Sequence, residues 1–361
     1  MLPLVSSYHV WTLTEGQVSP MFWQTIPSMK TTRIIIISLF ILCLLAGGLG
    51  ISMYRYATTS SGTADITAIL WVKPGESFSE TLTQLREAGL VRHPTRFRWL
   101  AYLKGDERRI RAGEYVLRGS MPPLAILKTL VRGKGLLHKV VIPEGVTMFK
   151  IGQLLEREGL VLQEAFLKAA SDPSLTKALG VGGDTFEGYL FPETYHFAKG
   201  VNAQEIIEKM VAQFRSVFSP AWAERARQLG WTVHEVVTLA SIVEKETAKP
   251  EERPVIAAVF LNRLKRGMRL ESDPTVIYGI QGFDGNLTRK DLEIYTPYNT
   301  YQITGLPPGP IANPGRASIE AVLYPSQEPY LYFVSKNDGS HHFSRTLSEH
   351  MRMVRRYQLH R

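Results

Sequence analysis

Ile34 to Met53 is a run of 20 residues without a single charge, and no other segment constrains the chain as strongly. As a helix rising about 1.5 Å per residue, such a run matches a hydrocarbon core roughly 30 Å thick. It predicts one membrane-spanning helix; a cleaved signal peptide, with its usual apolar core of ~7–15 residues, is the weaker fit. Lys30 and Arg33 stand just before the run and Arg55 just after it, so the positive-inside rule puts the N-terminus in the cytoplasm. Residues 1–33 then form a short cytoplasmic tail or a misassigned start, 34–53 the anchor, and 57–67, rich in Ser, Thr, Gly and Ala, a flexible tether. Everything beyond is exported.

Composition bounds what the exported part can use. Cys43, the only cysteine, lies inside the apolar run, which leaves no disulfide or thiolate metal site outside it. With 361 residues and 44% hydrophobic content, the chain can build more than one cored domain. Its net charge of +9 suits polyanions, whether nucleic acid, anionic lipid or an acidic wall polymer. No zinc-finger, RNA-recognition or basic-zipper pattern accompanies that charge, so a nucleic-acid partner is not expected.

The pattern of elements is α+β. Ala68 to Val72 reads as a strand, followed by a helix through Leu82, Leu85 and Ala88 that Gly89 closes, a second helix from Pro94 to Leu103, and a strand within Ile110 to Leu117. A related pattern returns without gaps: Gly75, Leu85 and Gly89-Leu-Val91 answer to Gly145, Leu155 and Gly159-Leu-Val161, as Ser77 does to Thr147. We divide the exported part at residues 68–135 and 136–361. The first portion resembles a LysM module, a small fold that binds N-acetylglucosamine polymers.

Further on, helices are expected at 160–179, 203–218, 220–229 and 251–266, around an aromatic, Pro-broken stretch from Thr185 to Phe197. Tyr295 to Gly315 is dense in Pro and Gly, which suits a stiff binding wall with Tyr298, Asn299, Tyr301 and Gln302 at its surface. Tyr330–Ser335 and His341–Ser344 flank Asn337-Asp-Gly339 as a hairpin, and a basic helix closes the chain.

The chemistry centres on Thr232 to Thr247. Thr232 and Glu235 form a capping box, and Val233, Val237, Ala240 and Glu244 fall on one stripe of the helix that follows. Glu235 and Glu246 point elsewhere. A carboxyl on a buried stripe loses solvation and holds its proton to higher pH, which fits a general acid; the alternative is an acid satisfied by an Arg or a backbone donor. His234-Glu235 begins the zinc-protease motif, but Thr238 stands where the second histidine belongs. His341 and His342, neighbours in a strand, face opposite ways and do not suggest a metal site, and no cofactor motif occurs.

Six segments carry a closer likeness: Glu187-Gly-Tyr-Leu-Phe-Pro-Glu-Thr-Tyr195, Ala240-Ser-Ile-Val-Glu-Lys-Glu-Thr247, Phe260-Leu-Asn-Arg-Leu264, Asp273-Pro-Thr-Val-Ile-Tyr278, Tyr298-Asn-Thr-Tyr301 and Gly305-Leu-Pro-Pro-Gly-Pro-Ile-Ala312. Together they resemble the endolytic murein transglycosylase family, MltG or YceG-like, from about Val72 to Tyr357. The resemblance implies a lytic transglycosylase of the inner membrane that cuts nascent peptidoglycan strands on the periplasmic side and leaves 1,6-anhydro-N-acetylmuramyl ends, with peptidoglycan synthases as possible partners. It implies that Glu244 is the catalytic acid. Glu187, Tyr189, Glu193, Glu246, Asn262, Arg263, Asp273, Tyr298, Asn299 and Tyr301 are the candidates for substrate binding or support. A noncatalytic peptidoglycan-binding scaffold and a water-using muramidase, with Glu187 or Asp273 as the second carboxylate, are the competing functions.

Overall fold

The computed structural model describes residues 29–60, 66–133 and 135–359. The first 28 residues and positions 61–65 of the expected tether lie outside the described residues. Helix α1 (Met29–Thr58) contains the apolar run and continues past it without a break. Among the described residues, this helix alone is long and apolar enough to cross a membrane. The tether expected from Ala57 onward instead starts as helix. Tyr56 and Ala57 are buried against Leu85, Phe97 and Leu127, and tertiary packing of this kind stabilises a helical end whatever its polar composition.

The first unit contains β1 (Thr67–Val72), α2 (Phe78–Glu87), α3 (Pro94–Lys104), β2 (Gly113–Arg118) and α4 (Pro123–Arg132). β1 pairs antiparallel with β2, Thr67 opposite Arg118 and Val72 opposite Gly113. Ser77 and Glu80 close a capping box at the start of α2. α4 was not anticipated from the sequence, although Pro123 at its first turn and Gly133 at its end signal it.

A second core is built by β3 (Leu137–Val141), α5 (Met148–Arg157), α6 (Gln163–Ala170), α7 (Pro173–Ala178), β4 (Thr194–Ala198) and α8 (Ala203–Val217), with β3 antiparallel to β4. The repeat is visible in the local geometry. Gly75 and Gly145 have φ of 78° and 73°, and Ser77 and Thr147 both cap the helix that follows. Only the first copy closes on itself, since β3 takes its partner from beyond three helices.

The third core surrounds α10 (Val233–Glu246), which follows α9 (Pro220–Gln228). After it come a 3-10 turn (Pro250–Glu252), α11 (Arg253–Lys265), α12 (Asp273–Gly279), α13 (Arg289–Glu293), α14 (Arg316–Leu323), β5 (Tyr332–Ser335), β6 (His341–Ser344) and α15 (Leu347–Val354). α12, α13 and α14, like α4, are helices that the sequence did not suggest. The architecture is α+β, but its strands form three separate two-stranded antiparallel sheets and not one sheet across the larger portion. Short strands of four to six residues, each pair covered by helices, leave no continuous edge on which a wider sheet can grow.

Candidate active site

Thr232 caps α10 in a reciprocal box with Glu235, as expected. Burial along the helix differs from the single stripe. Val236 through Val243 are all buried, enclosed by α9, α11, α12 and α14. A helix covered on every side gives its last turn two enclosed acids, Glu244 and Glu246, pointing about 200° apart.

Glu244 is paired. Its Oε1 accepts from Arg253 Nη2 at 3.0 Å and its Oε2 from the Gly315 backbone N–H at 2.9 Å. Both side chains are enclosed, 6% and 10% exposed for Glu244 and Arg253, and Glu144 Oε2 lies 3.8 Å from the same guanidinium. The acid satisfied by an Arg and a backbone donor is therefore the arrangement present, and the premise of an unpaired, desolvated Glu244 does not hold. Such an ion pair is stable only while both partners remain.

Glu246 faces a cavity of about 350 Å³ whose walls include Arg263, Glu271, Asp273, Tyr301 and His341. Glu246 points away from the Glu244 stripe, as expected, and forms part of this wall. Its Oε1 accepts from the Ser272 hydroxyl. Burial pushes the carboxyl up to about 7; the Ser272 hydrogen bond opposes that rise, the charge of Asp273 adds to it, and Arg263 opposes it. This carboxyl can carry a proton near neutrality.

The cavity wall is assembled from distant segments. Arg263 is buried and its Nη1 donates to Leu270 O (3.0 Å) and Glu271 Oε2 (3.0 Å), while its Nε donates to Leu331 O (2.8 Å). It thereby ties the loop before α12 to the segment before β5. Glu271 sits in this loop with φ of 52°. Tyr301 donates its hydroxyl hydrogen to Asp273 Oδ1 at 2.7 Å, and Arg269 donates to the Tyr301 carbonyl at 2.7 Å. His341 enters from β6. Its Nδ1 lies 2.7 Å from Glu252 Oε2 and its backbone N–H donates to Glu252 Oε1 at 2.8 Å. Burial works against the charge on Glu252, but these bonds from His341 hold its carboxyl below the usual range. The pair orients the imidazole, whose Nε2 has no protein partner among the described residues.

The other sequence candidates have structural roles. Glu187 is buried and accepts from Met148 N–H (2.9 Å), Asn313 Nδ2 (2.8 Å) and Tyr278 Oη (3.3 Å), so it supports the start of α5 and does not orient Glu244. Burial pushes its carboxyl up to about 8. Tyr189 is in the core, its hydroxyl 3.0 Å from His234 Nδ1. Glu193 is exposed and turns back to accept from Thr194 N–H at 2.9 Å. Asn262 donates to the carbonyls of Glu328 and Tyr330, both at 3.0 Å.

The surface position expected for Asn299 is corrected, and Tyr298 is half-buried. The Tyr298 ring packs 4.8 Å from that of Tyr278, and Asn299 is fully buried, donating to Leu292 O and Ile294 O while accepting from Tyr301 N–H. These carbonyls lie at the C-terminal end of α13, where no helical N–H reaches them, and Asn299 supplies the missing donors. Gln302 does the same for Leu292 O at 2.8 Å. Among the described residues, no group of three or more His, Cys, Asp or Glu is arranged to hold a metal ion.

Residues 70–356 match the model of the YceG-like family. An endolytic murein transglycosylase of Bacillus subtilis (strain 168) is 33% identical over 302 residues, covering 79% of this chain and 83% of the relative. One from Streptococcus pneumoniae serotype 2 (strain D39 / NCTC 7466) is 32% identical over 353 residues; the alignment takes in 88% of this chain but 63% of that longer relative. The crystal structure of a yceG-like protein from Listeria monocytogenes is similar at a TM-score of 0.57 and 34% identity, over 80% of this chain and 99% of that one.

Proposed function

The chain belongs to the YceG-like family, and we propose that it cleaves peptidoglycan as a membrane-anchored endolytic transglycosylase with Glu246 as its proton donor. Its class is that of a lyase acting on murein. One observation carries the assignment within the site: Glu246 alone combines a carboxyl raised to about 7 with a place in the cavity wall, whereas Glu244 is held by Arg253 and Gly315. The family resemblance gives the general-acid role to Glu244; the hold of Arg253 and Gly315 on that carboxyl is the ground on which this proposal gives it to Glu246 instead.

Protonated Glu246 gives its hydrogen to the oxygen bridging C1 of N-acetylmuramic acid and C4 of N-acetylglucosamine. The C1–O bond breaks, the shorter strand leaves as an alcohol, and positive charge spreads over C1 and the ring oxygen. Glu246, now ionised, takes the proton of the muramyl C6 hydroxyl as that oxygen bonds to C1. The 1,6-anhydro ring closes and the enzyme regains its proton. Because the nucleophile belongs to the substrate, proximity is built in and no second acid is required. Asp273 and Tyr301, joined by their hydrogen bond, and His341, aimed by Glu252, are placed to hold sugar hydroxyls and amides. Arg263 keeps the wall in position. Asp273 beside Glu246 also supports a second reading, a muramidase in which it directs a water molecule.

Two further assignments belong to this proposal. Residues 136–361 form the catalytic portion, and residues 68–135 form a LysM-like glycan-binding subdomain, a reading supported by the order β1, α2, α3, β2 and the antiparallel β1–β2 pair. α1 anchors the chain in the cytoplasmic membrane with its N-terminus inside, so that the cavity meets nascent strands outside and cleavage ends their elongation.

The test is digestion of purified peptidoglycan by the full-length protein and by its Glu246→Gln and Glu244→Gln variants, with muropeptide products identified by mass. Anhydro ends from wild type and Glu244→Gln, lost in Glu246→Gln, are expected. Cleavage that survives Glu246→Gln and disappears in Glu244→Gln overturns the assignment. Reducing ends indicate the muramidase, and binding without cleavage by wild type indicates a scaffold.

A further inference from the structure

α3 carries two apolar faces. Phe97, Leu100 and Ala101 are buried in the core of the first unit. Trp99, Tyr102 and Leu103, spaced as neighbours on the other side, are 55%, 63% and 65% exposed, with the Trp99 and Tyr102 rings edge to face at 5.9 Å. α3 also bears exposed Arg96, Arg98 and Lys104 and no acidic residue.

The place of this face indicates what covers it. Trp99, Leu103 and Arg96 line a groove together with Leu49 and Met53 of α1. Leu49 and Met53 belong to the final turns of the apolar run, where the helix leaves the hydrocarbon. The two helices are also locked at their other ends. Tyr56 is buried in the first unit, its hydroxyl donates to the carbonyl of His93 at 3.2 Å, and the Arg96 guanidinium lies 5.9 Å from its ring. With α1 across a bilayer, the exposed face of α3 is held at the level of the headgroups.

We propose that Trp99, Tyr102 and Leu103 insert into the interface of the leaflet from which α1 emerges, and that the first unit is seated on an anionic lipid surface. Trp and Tyr favour this depth because each combines an apolar ring with a polar group that stays hydrated. Leu103 adds apolar area, and Arg96, Arg98 and Lys104 meet the phosphates of an anionic leaflet. The charge and the aromatics then serve one surface, and the unit stands at a set height above the membrane. None of this depends on which glutamate is catalytic.

The test uses the full-length protein in nanodiscs of phosphatidylethanolamine and phosphatidylglycerol, with an environment-sensitive fluorophore on single cysteines and, as quencher, lipid spin-labelled at a shallow position to read α3 or at the chain end to read Cys43. Native Cys43 reports the span. In a Cys43→Ser background, Trp99→Cys and Leu103→Cys report the α3 face, and Glu224→Cys on α9 is the aqueous control; Leu103→Cys leaves Trp99 in place, and neither probed side chain contributes to the core. Labels at 99 and 103 are expected to shift to the blue and to be quenched at least about threefold more strongly than at 224. Labels at 99 and 103 that match the one at 224 while Cys43 is quenched overturn the proposal. So does an unquenched Cys43, which removes the bilayer from α1.

Discussion

Ser272 donates its hydroxyl hydrogen to Glu246, and Asp273, the next residue, leaves its charge beside the same carboxyl. The two act in opposite directions on the proton that the proposed reaction needs: the hydrogen bond favours the ionised form and the neighbouring charge the protonated one. Cleavage requires protonated Glu246, so kcat/KM is expected to fall as pH rises through about 7. Ser272→Ala moves this limb to higher pH and Asp273→Asn moves it to lower pH. The Ser272 bond is stronger to the ionised than to the protonated carboxyl by roughly 1–1.5 kcal/mol, which corresponds to about one pH unit. Shifts in the same direction, read from pH profiles on purified glycan strands, contradict the assignment.

Removing Arg253 leaves Glu244 enclosed without its charged partner, beside Glu144. Arg253→Met should destabilise the protein by about 3–5 kcal/mol, and Glu244→Gln in the same chain should recover part of that loss. Urea unfolding of the three variants measures the coupling. Additive effects mean that the ion pair has no energetic role.

Glu187 ties stability to pH. Its carboxyl is raised from 4.5 to about 8 in the fold, so the native state binds this proton more tightly than the unfolded chain does. The contribution is complete below about 4.5 and is lost as pH rises through about 8. The melting temperature of wild type should therefore drop between pH 6 and 9, and the drop should be smaller in Glu187→Gln. Equal slopes would place the proton elsewhere.

Gly188 backs onto α10. Its φ is +86°, and a Cβ there would lie 2.5 Å from Pro310 Cγ and 2.8 Å from Val237 Cγ1. Gly188→Ala should cost about 1–3 kcal/mol from overpacking, in addition to the strain of a left-handed Ala. Gly282, at φ +69° with no atom within 4 Å, isolates the strain alone. Thermal melts in which Gly188→Ala loses no more than Gly282→Ala would remove the close approach as the cause.

Much of the scaffold was legible because local rules governed it. The Thr232 capping box, the stops at Gly89 and Gly267 and the hairpin turn with Asn337 at φ 63° each depend on a few adjacent residues. α4, α12, α13 and α14 carried only partial signals of this kind, and all four were missed. The Tyr298–Tyr301 segment misled for another reason. Its Pro/Gly content announced an irregular loop correctly, but the carbonyls at the end of α13 lack helical partners, and Asn299 was needed inside to donate to them.

The sequence by itself determined that one helix can span a membrane and that the remainder is α+β, and it pointed to Glu244 at the end of the Thr232 helix. It did not show what surrounds Glu244 or Glu246. Helical period assigns a residue to a face, and a face has meaning only when one side of the helix meets water; from Val236 to Val243, α10 has no such side. The difference between Glu244 and Glu246 comes from groups far away in the chain: Gly315 on one side, and Ser272, Tyr301 and His341 on the other. Only tertiary structure could place them, because a carboxyl's proton affinity is set by burial and by its neighbours in space, and not by its position along a helix.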